Sequence, residues 1–149
     1  MGEPSLRERA LRHLARRDHS RAELARKLAS HGEHDEIQAV IARMGELGLQ
    51  SDSRYAEVFV RSKSARFGET RLRRELTLRG IDRDLIDAAL ATECVESELD
   101  RARSVLRGRF STPPTETREW ARQARFLQTR GFAPELIRKL LKEPHDESA

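Results

Sequence analysis

Arginine side chains recur at one fixed position along the chain. One arginine stands six residues before each of three glycines, and the pairs are Arg26 with Gly32, Arg74 with Gly80, and Arg125 with Gly131. The planar guanidinium fork binds phosphate or carboxylate through paired hydrogen bonds, so this recurrence favours recognition of an anionic partner. With the neighbouring cations, the predicted contact surface comprises Arg21, Arg26, Lys27, Arg71, Arg73, Arg74, Arg79, Arg122, Arg125 and Arg130. The alternative is that these arginines only solvate their helices and pair with nearby glutamates.

The side chains that usually carry catalysis or bind metals show no comparable order. The five histidines are His13, His19, His31, His34 and His145. None has a carboxylate or thiol at ligand spacing, and His31 and His34 straddle a glycine. The chain has no phosphate-cradling glycine loop, nucleophile elbow or tight carboxylate cluster, and we expect Cys94 to be a small packing residue. The sequence therefore predicts a protein that is not an enzyme and that uses no metal, cofactor or small-molecule substrate.

Composition restricts the class of protein further. Charged residues make up 36% of the 149 residues and aromatic residues only 5%, and the net charge is +4. That balance permits a polyanionic partner without requiring one. The chain has no apolar run long enough to cross a bilayer, no secretory h-region at its start and only one cysteine. We therefore expect a cytoplasmic protein without membrane contact, and we expect it to be a monomer.

The arginines lie in a helical unit that repeats three times. Leucines precede the closing glycines by four residues at Leu28, Leu76 and Leu127, and by eight at Leu24 and Leu72, where the third unit has Gln123. The glycines are 48 and then 51 residues apart, a period typical of stacked helical arrays. Because each glycine follows two helical segments and precedes a third, the sequence predicts an all-α fold of three tandem three-helix repeats. The predicted limits are 1–50, 51–95 and 96–142, followed by a mobile tail at 143–149.

Local signals mark helix ends and core positions. Ser20 and Glu23 match a capping box, which predicts a helix start, and we expect Gly32 to adopt a left-handed conformation at the end of that helix. Phe67 precedes a glycine turn and is interpreted as a hydrophobic staple onto the next helix, with an exposed anchor for a partner as the alternative. The other large apolar side chains are expected to face the core, namely Tyr55, Phe59, Trp120 and Leu127.

Three stretches of the chain resemble the RecX family. The first is ALRHLARRDHSRAELARKLASHG (10–32), in which a helix ends in a basic turn before a helix of the type R-x-E-L-x-x-K-L. The second is MGELGLQSDSRYAEVFVRSKSARFGETRLRRELTLRGID (44–82), which resembles the central motif of the family. The third is FLQTRGFAPELIRKLLKE (126–143), where R-G-F precedes the final helix. Together they extend the resemblance from about residue 6 to residue 142.

The resemblance implies an elongated, curved array that lies in the groove of the RecA–single-stranded DNA filament. Members of the family restrain the recombinase, ATPase and coprotease activities of RecA in DNA repair and the SOS response. The resemblance supplies no catalytic residues and no cofactor. A contact with single- or double-stranded DNA stays open. The competing interpretation is a direct DNA-binding regulator with helix-turn-helix-like units, although no helix carries an evident set of base-reading residues.

Overall fold

The computed structural model describes residues 2–142. Within that range there are nine α-helices, one 3-10 turn at Ala29–His31 and no β-strand, which confirms the predicted all-α fold. The helices are α1 (Leu6–Arg16), α2 (Arg21–Leu28), α3 (His34–Glu46), α4 (Asp52–Lys63), α5 (Glu69–Leu78), α6 (Arg83–Glu93), α7 (Glu98–Arg109), α8 (Thr117–Thr129) and α9 (Pro134–Leu140). The predicted tail at 143–149 and His145 lie outside the described residues.

Each group of three consecutive helices encloses a hydrophobic core of its own. The most closely packed helix pairs all lie within one group, so the predicted three-helix units are confirmed. The middle helices α2, α5 and α8 present equivalent buried side chains: Leu24 and Leu28, Leu72 and Leu76, and Leu127. Because residues four apart share one helix face, this spacing places the buried face of each middle helix against its own core. Tyr55, Phe59 and Trp120 also pack against these cores, as expected.

Gln123 takes the place of the second buried leucine in the third unit and is itself buried. Its amide Nε2 donates to the carbonyl of Thr112 at 3.1 Å and to the Glu119 carboxylate at 3.3 Å. A buried polar group needs such partners because water cannot reach it. Thr112 lies between α7 and α8, so the polar replacement fastens that turn to the third core.

The ends of the middle helices follow the sequence signals with one exception. The capping box of Ser20 and Glu23 is present, and Gly80 and Gly131 adopt left-handed φ values of 81° and 92°. The expectation of a left-handed Gly32 was wrong, because its φ is −177° and the chain continues from α2 into the 3-10 turn. Gly32 lies next to Leu6, and an added Cβ would require the terminal methyl groups of that leucine to shift.

The first and second units meet where the N-terminus of α2 faces the C-terminus of α5. The hydroxyl of Ser20 donates to the carbonyl of Arg79, the C-cap residue of α5, at 2.7 Å. Gly80 lies so close to Ala22, in the first turn of α2, that an added Cβ would overlap it. The carboxylate of Asp52 accepts from the N–H of Arg21 at 2.8 Å, so the first residue of α4 also caps α2.

The joint between the second and third units repeats this arrangement. The N–H of Gly68, the N-cap residue of α5, donates to the carbonyl of Arg130, the C-cap residue of α8, at 2.8 Å. Gly131 lies against the backbone of Arg71 in the first turn of α5. The carboxylate of Glu98, the first residue of α7, accepts from the N–H of Glu69 at 3.1 Å.

The three middle helices therefore abut head to tail, α8 behind α5 and α5 behind α2. Isolated helices leave unpaired N–H groups at one end and unpaired carbonyls at the other. At the second joint the N–H of Gly68 pairs with the carbonyl of Arg130, whereas at the first joint the side chains of Ser20 and Asp52 pair with such groups. At both joints the negative end of one helix dipole faces the positive end of the next. The same ends of the middle helices meet at both joints. Residues at equivalent positions of α2, α5 and α8 therefore follow one another along the stack.

Candidate interaction surface

Three arginines occupy the same register on the three stacked helices. Arg26, Arg74 and Arg125 each lie two residues before a buried leucine, Leu28 or its equivalent, and all three side chains are exposed. Among residues 2–142, none of the three forms an ion pair with a carboxylate. We call these residues the arginine row. With respect to the described part of the chain, their guanidinium donors are therefore available for an external anion.

Three other members of the predicted contact surface also lie on exposed positions of the middle helices. Arg21 is exposed at the start of α2. Lys27 is exposed as well, but its Nζ lies 2.9 Å from Nε2 of the buried His19. Arg122 lies 3.7 Å from the Glu119 carboxylate, and an ion pair this exposed contributes little to stability.

The side chain of Arg73 forms ion pairs within the second unit. Its guanidinium bonds the Glu69 carboxylate at 2.9 Å and the Asp87 carboxylate at 2.6 Å. The hydrogen bond to Asp87 is the main cause that raises the pKa of Arg73. Since Asp87 lies on α6, this side chain ties the middle helix of the unit to its third helix.

The remaining three arginines of the predicted surface lie at or beside the joints and cover aromatic rings. The guanidinium carbon of Arg71 lies 3.8 Å from the centroid of Phe67, and that of Arg79 lies 4.8 Å from Phe59. Arg130 lies over Phe67 at 5.8 Å and over Phe126 at 5.2 Å. These cation–π contacts hold the side chains against the fold. Phe67 is half-buried against the second core, in keeping with the staple interpretation.

Arg101 was not singled out from the sequence, yet it is buried at the second joint with 6% of its surface exposed. Its Nη1 donates to the carbonyls of Ser64 and Phe67, both at 2.8 Å, and so fixes the turn before α5 onto α7. Its Nε has no partner among the described residues. No local pattern distinguishes this arginine from the exposed arginines beside it, so the sequence carried no signal for it.

Of the histidines, His13 and His19 lie close together, with ring centroids 5.7 Å apart. His31 and His34 are exposed, and no group of three or more metal-ligating side chains comes together among residues 2–142. Burial raises the pKa of the Cys94 thiol, which disfavours the reactive thiolate. Across the same range, no helix is both long and apolar enough to span a bilayer.

The fold and this surface define a class: an all-helical repeat protein whose exposed, repeated side chains suit binding to an anionic partner. Comparison with known proteins makes the class specific. Models of the RecX first, second and third three-helix domains match residues 7–44, 51–90 and 96–141. The chain belongs to the RecX family.

Individual relatives support this assignment over nearly the whole chain. The chain is 46% identical to "Regulatory protein RecX" of Leptothrix cholodnii over 93% of its own length and 88% of that protein. It is 41% identical to the protein of the same name from Herbaspirillum seropedicae, over 91% and 88%. The crystal structure of RecX from Lactobacillus salivarius has a similar fold, with a TM-score of 0.77, 24% identity and 94% coverage of both chains. These relatives are named as regulatory proteins.

Proposed function

We propose that this chain binds the RecA–single-stranded DNA filament and modulates RecA, mainly by inhibiting its recombinase, ATPase and coprotease activities in DNA repair and the SOS response. One observation carries the proposal: three exposed arginines that form no ion pair within residues 2–142 recur at one register on three helices stacked head to tail. Such a repeat suits a partner that is itself a repeating polymer. Membership of a family of regulatory proteins supports the same assignment.

The length of the stack suits a contact with more than one filament subunit. At 1.5 Å per residue, the 31 residues of α2, α5 and α8 amount to about 45 Å of helix. Several weak contacts along one rigid body act together, because the first raises the effective concentration of the others. Each guanidinium then needs only a modest affinity for a carboxylate of the filament or a phosphate of its DNA.

Inhibition follows if the bound chain favours one filament geometry over another. A ligand shifts a conformational equilibrium only through its different affinity for the two states. A rigid stack that spans a subunit boundary binds one spacing of subunits best, so it disfavours the movements that nucleotide turnover or filament extension requires. The chain itself needs no cofactor for this role, acts as a monomer and works in the cytoplasm, where the filament forms.

The test is a titration of the purified chain into RecA with single-stranded DNA and ATP. ATP hydrolysis is followed by a coupled assay, and filament length is followed by electron microscopy. We expect hydrolysis to fall and filaments to shorten as the chain saturates. Hydrolysis and length that stay constant at saturating chain contradict the proposal. Base-specific binding of duplex DNA together with that result favours the helix-turn-helix-like regulator instead.

A further inference from the structure

A basic surface that includes two aromatic rings lies on the third unit. Phe110, at the end of α7, meets Phe126 of α8 edge to face, with ring centroids 5.5 Å apart and an interplanar angle of 83°. Both rings are half-buried, so the fold holds them while part of each stays at the surface. The surrounding cations come from α7, α8 and the C-cap of α8: Arg109, Arg122, Arg125 and Arg130.

These residues line shallow depressions that join into one path. A depression of about 230 Å³ is lined by both phenylalanines with Arg109, Arg122 and Arg125. It shares Arg109 and Phe126 with a second depression, which reaches Arg66 in the turn after α4. It shares Arg122 and Arg125 with a third, at the start of α8. The five basic and aromatic residues of the first depression, together with Arg130, are called the third-unit track: Arg109, Phe110, Arg122, Arg125, Phe126 and Arg130.

The cations of the track contact rings more than carboxylates. The guanidinium carbons of Arg109 and Arg122 lie 5.2 and 5.3 Å from the centroid of Phe110, and that of Arg130 lies 5.2 Å from Phe126. Among residues 2–142, the one ion pair that a track arginine forms is the exposed contact of Arg122 with Glu119 at 3.7 Å. The cation–π contacts therefore hold the arginines at the surface, and the guanidinium groups keep their positive charge.

We propose that the third-unit track binds single-stranded nucleic acid directly, with guanidinium groups on phosphates and unpaired bases against the two phenylalanines. A basic groove with aromatic side chains is the arrangement by which proteins hold single strands, because every base has a flat face that can stack on a ring. A duplex keeps its bases paired and stacked, so it offers phosphates and groove edges but no free base face to the rings. An acidic protein surface would use the arginines but has no need of the rings. The proposal requires no RecA, so it goes beyond the function proposed above.

The test measures binding of a fluorescein-labelled 20-nucleotide oligo(dT) by anisotropy, without RecA, over a series of salt concentrations. Arg109→Glu/Arg122→Glu reverses two track charges and leaves the arginine row intact. Its matched control is Arg12→Glu/Arg16→Glu, which makes the same charge change on exposed positions of α1, a helix without phenylalanine, tyrosine or tryptophan. Phe126→Leu keeps the charge and an apolar side chain but removes a ring. Circular dichroism checks that each variant folds.

The track variant is expected to weaken binding at least about tenfold and to flatten the salt dependence, since each lost phosphate contact lowers the slope. The α1 control should lose less than about threefold, and Phe126→Leu about fivefold through lost stacking. Equal losses in the two charge variants would show diffuse attraction and overturn the proposal. So would unchanged binding by Phe126→Leu, or equal affinity for the annealed duplex. If the wild-type chain fails to bind the oligonucleotide yet still inhibits RecA, this proposal fails while the filament proposal stands.

Discussion

The hydroxyl of Ser20 donates a hydrogen bond to the backbone carbonyl of Arg79, 59 residues further along the chain, at 2.7 Å. The same oxygen accepts from the N–H of Glu23 at 3.1 Å. One buried side chain therefore begins a helix and closes the joint between two units.

Replacing Ser20 by alanine is expected to destabilise the protein more than the loss of an ordinary helix cap. A lost cap costs about 1 kcal/mol, and the Arg79 carbonyl left without its partner adds about 1 kcal/mol. We expect urea unfolding to report a loss of about 2 kcal/mol. The matched control is Ser5→Ala, since Ser5 caps α1 through the N–H of Glu8 at an exposed position. A loss no larger than that of the control would mean that the hydroxyl contributes nothing at the joint.

Alanine at Gly131 is expected to damage the second joint. Gly131 has a φ of 92°, which is strained for alanine. It also approaches the Arg71 backbone so closely that an added Cβ would overlap it. Gly48 separates these costs, because its φ is 74° but nothing lies within 4 Å of an added Cβ. We expect Gly48→Ala to cost about 1–2 kcal/mol and Gly131→Ala to exceed it clearly. Equal urea midpoints for the two variants would show that Arg71 moves aside freely.

Stability is expected to fall as the pH drops below about 6.5, with His19 as one source. Burial lowers the pKa of His19, and the nearby charges of Arg17 and Lys27 lower it further, although its hydrogen bond to the Arg17 carbonyl and the Glu23 charge oppose this. A histidine with a lowered pKa binds fewer protons when folded. Its contribution is therefore present above the unfolded-state value of about 6.5 and is lost as the pH falls toward the folded-state pKa.

The geometry around His19 gives the reason. Its Nδ1 lies 3.0 Å from the Arg17 carbonyl, which makes Nδ1 the protonated nitrogen and leaves Nε2 to accept from the ammonium of Lys27. Protonation would place an N–H against that ammonium. Thermal unfolding between pH 7.5 and 5.5 should show a smaller pH dependence for His19→Gln than for the wild type. The control is His31→Gln at an exposed position, and some dependence should persist because burial also lowers the pKa of His13.

Charge reversal across the arginine row is expected to relieve inhibition of RecA. The variant Arg26→Glu/Arg74→Glu/Arg125→Glu places three repelling groups where three attractive contacts are proposed. We expect the concentration for half-inhibition of single-stranded-DNA-dependent ATP hydrolysis to rise at least about thirtyfold, which is about 2 kcal/mol spread over three exposed contacts. Because no row residue forms an ion pair with another of the described residues 2–142, the thermal midpoint should change little.

A matched triple variant distinguishes the row from net charge. Arg12→Glu/Arg83→Glu/Arg138→Glu changes one exposed arginine in each unit, on the flanking helices α1, α6 and α9. It should raise the half-inhibition concentration only a few-fold, through the long-range field alone. Inhibition that survives reversal of the row, or falls equally in both variants, would rule out the row as the contact.

Sequence periodicity was sufficient for the helices and units but not for how the units join. Leu72 and Leu76 reveal the buried face of α5 because side chains four apart share a helix face, and Gly80 ends that helix where a left-handed residue is required. The partner of Ser20 is a backbone carbonyl, which every residue possesses, so nothing in the letters around Arg79 marks it. The expectation for Gly32 was wrong because a glycine adopts extended as readily as left-handed backbone, and here the chain continues from α2 into a 3-10 turn.

Helical periodicity also allowed part of the candidate surface to be predicted, but not how its arginines contact other helices. Register alone identifies Arg26, Arg74 and Arg125, and their exposure agrees with it. Whether a flanking arginine is already engaged by a carboxylate or an aromatic ring depends on side chains from other helices. Arg73 meets Asp87 across the second unit, and Arg130 meets Phe67 across a joint. Single-sequence reasoning cannot see such pairs, because they form only when separate helices pack.

The head-to-tail joints also determine how the molecule responds to force. Tension applied along the stack would be borne by the two joints in series, and each joint is held by hydrogen bonds at helix ends and by side-chain contacts. Each core, in contrast, must open as a whole. We therefore expect a pulling force to separate a joint before it unfolds a unit, and the separated helix ends can pair again because each unit keeps its own core.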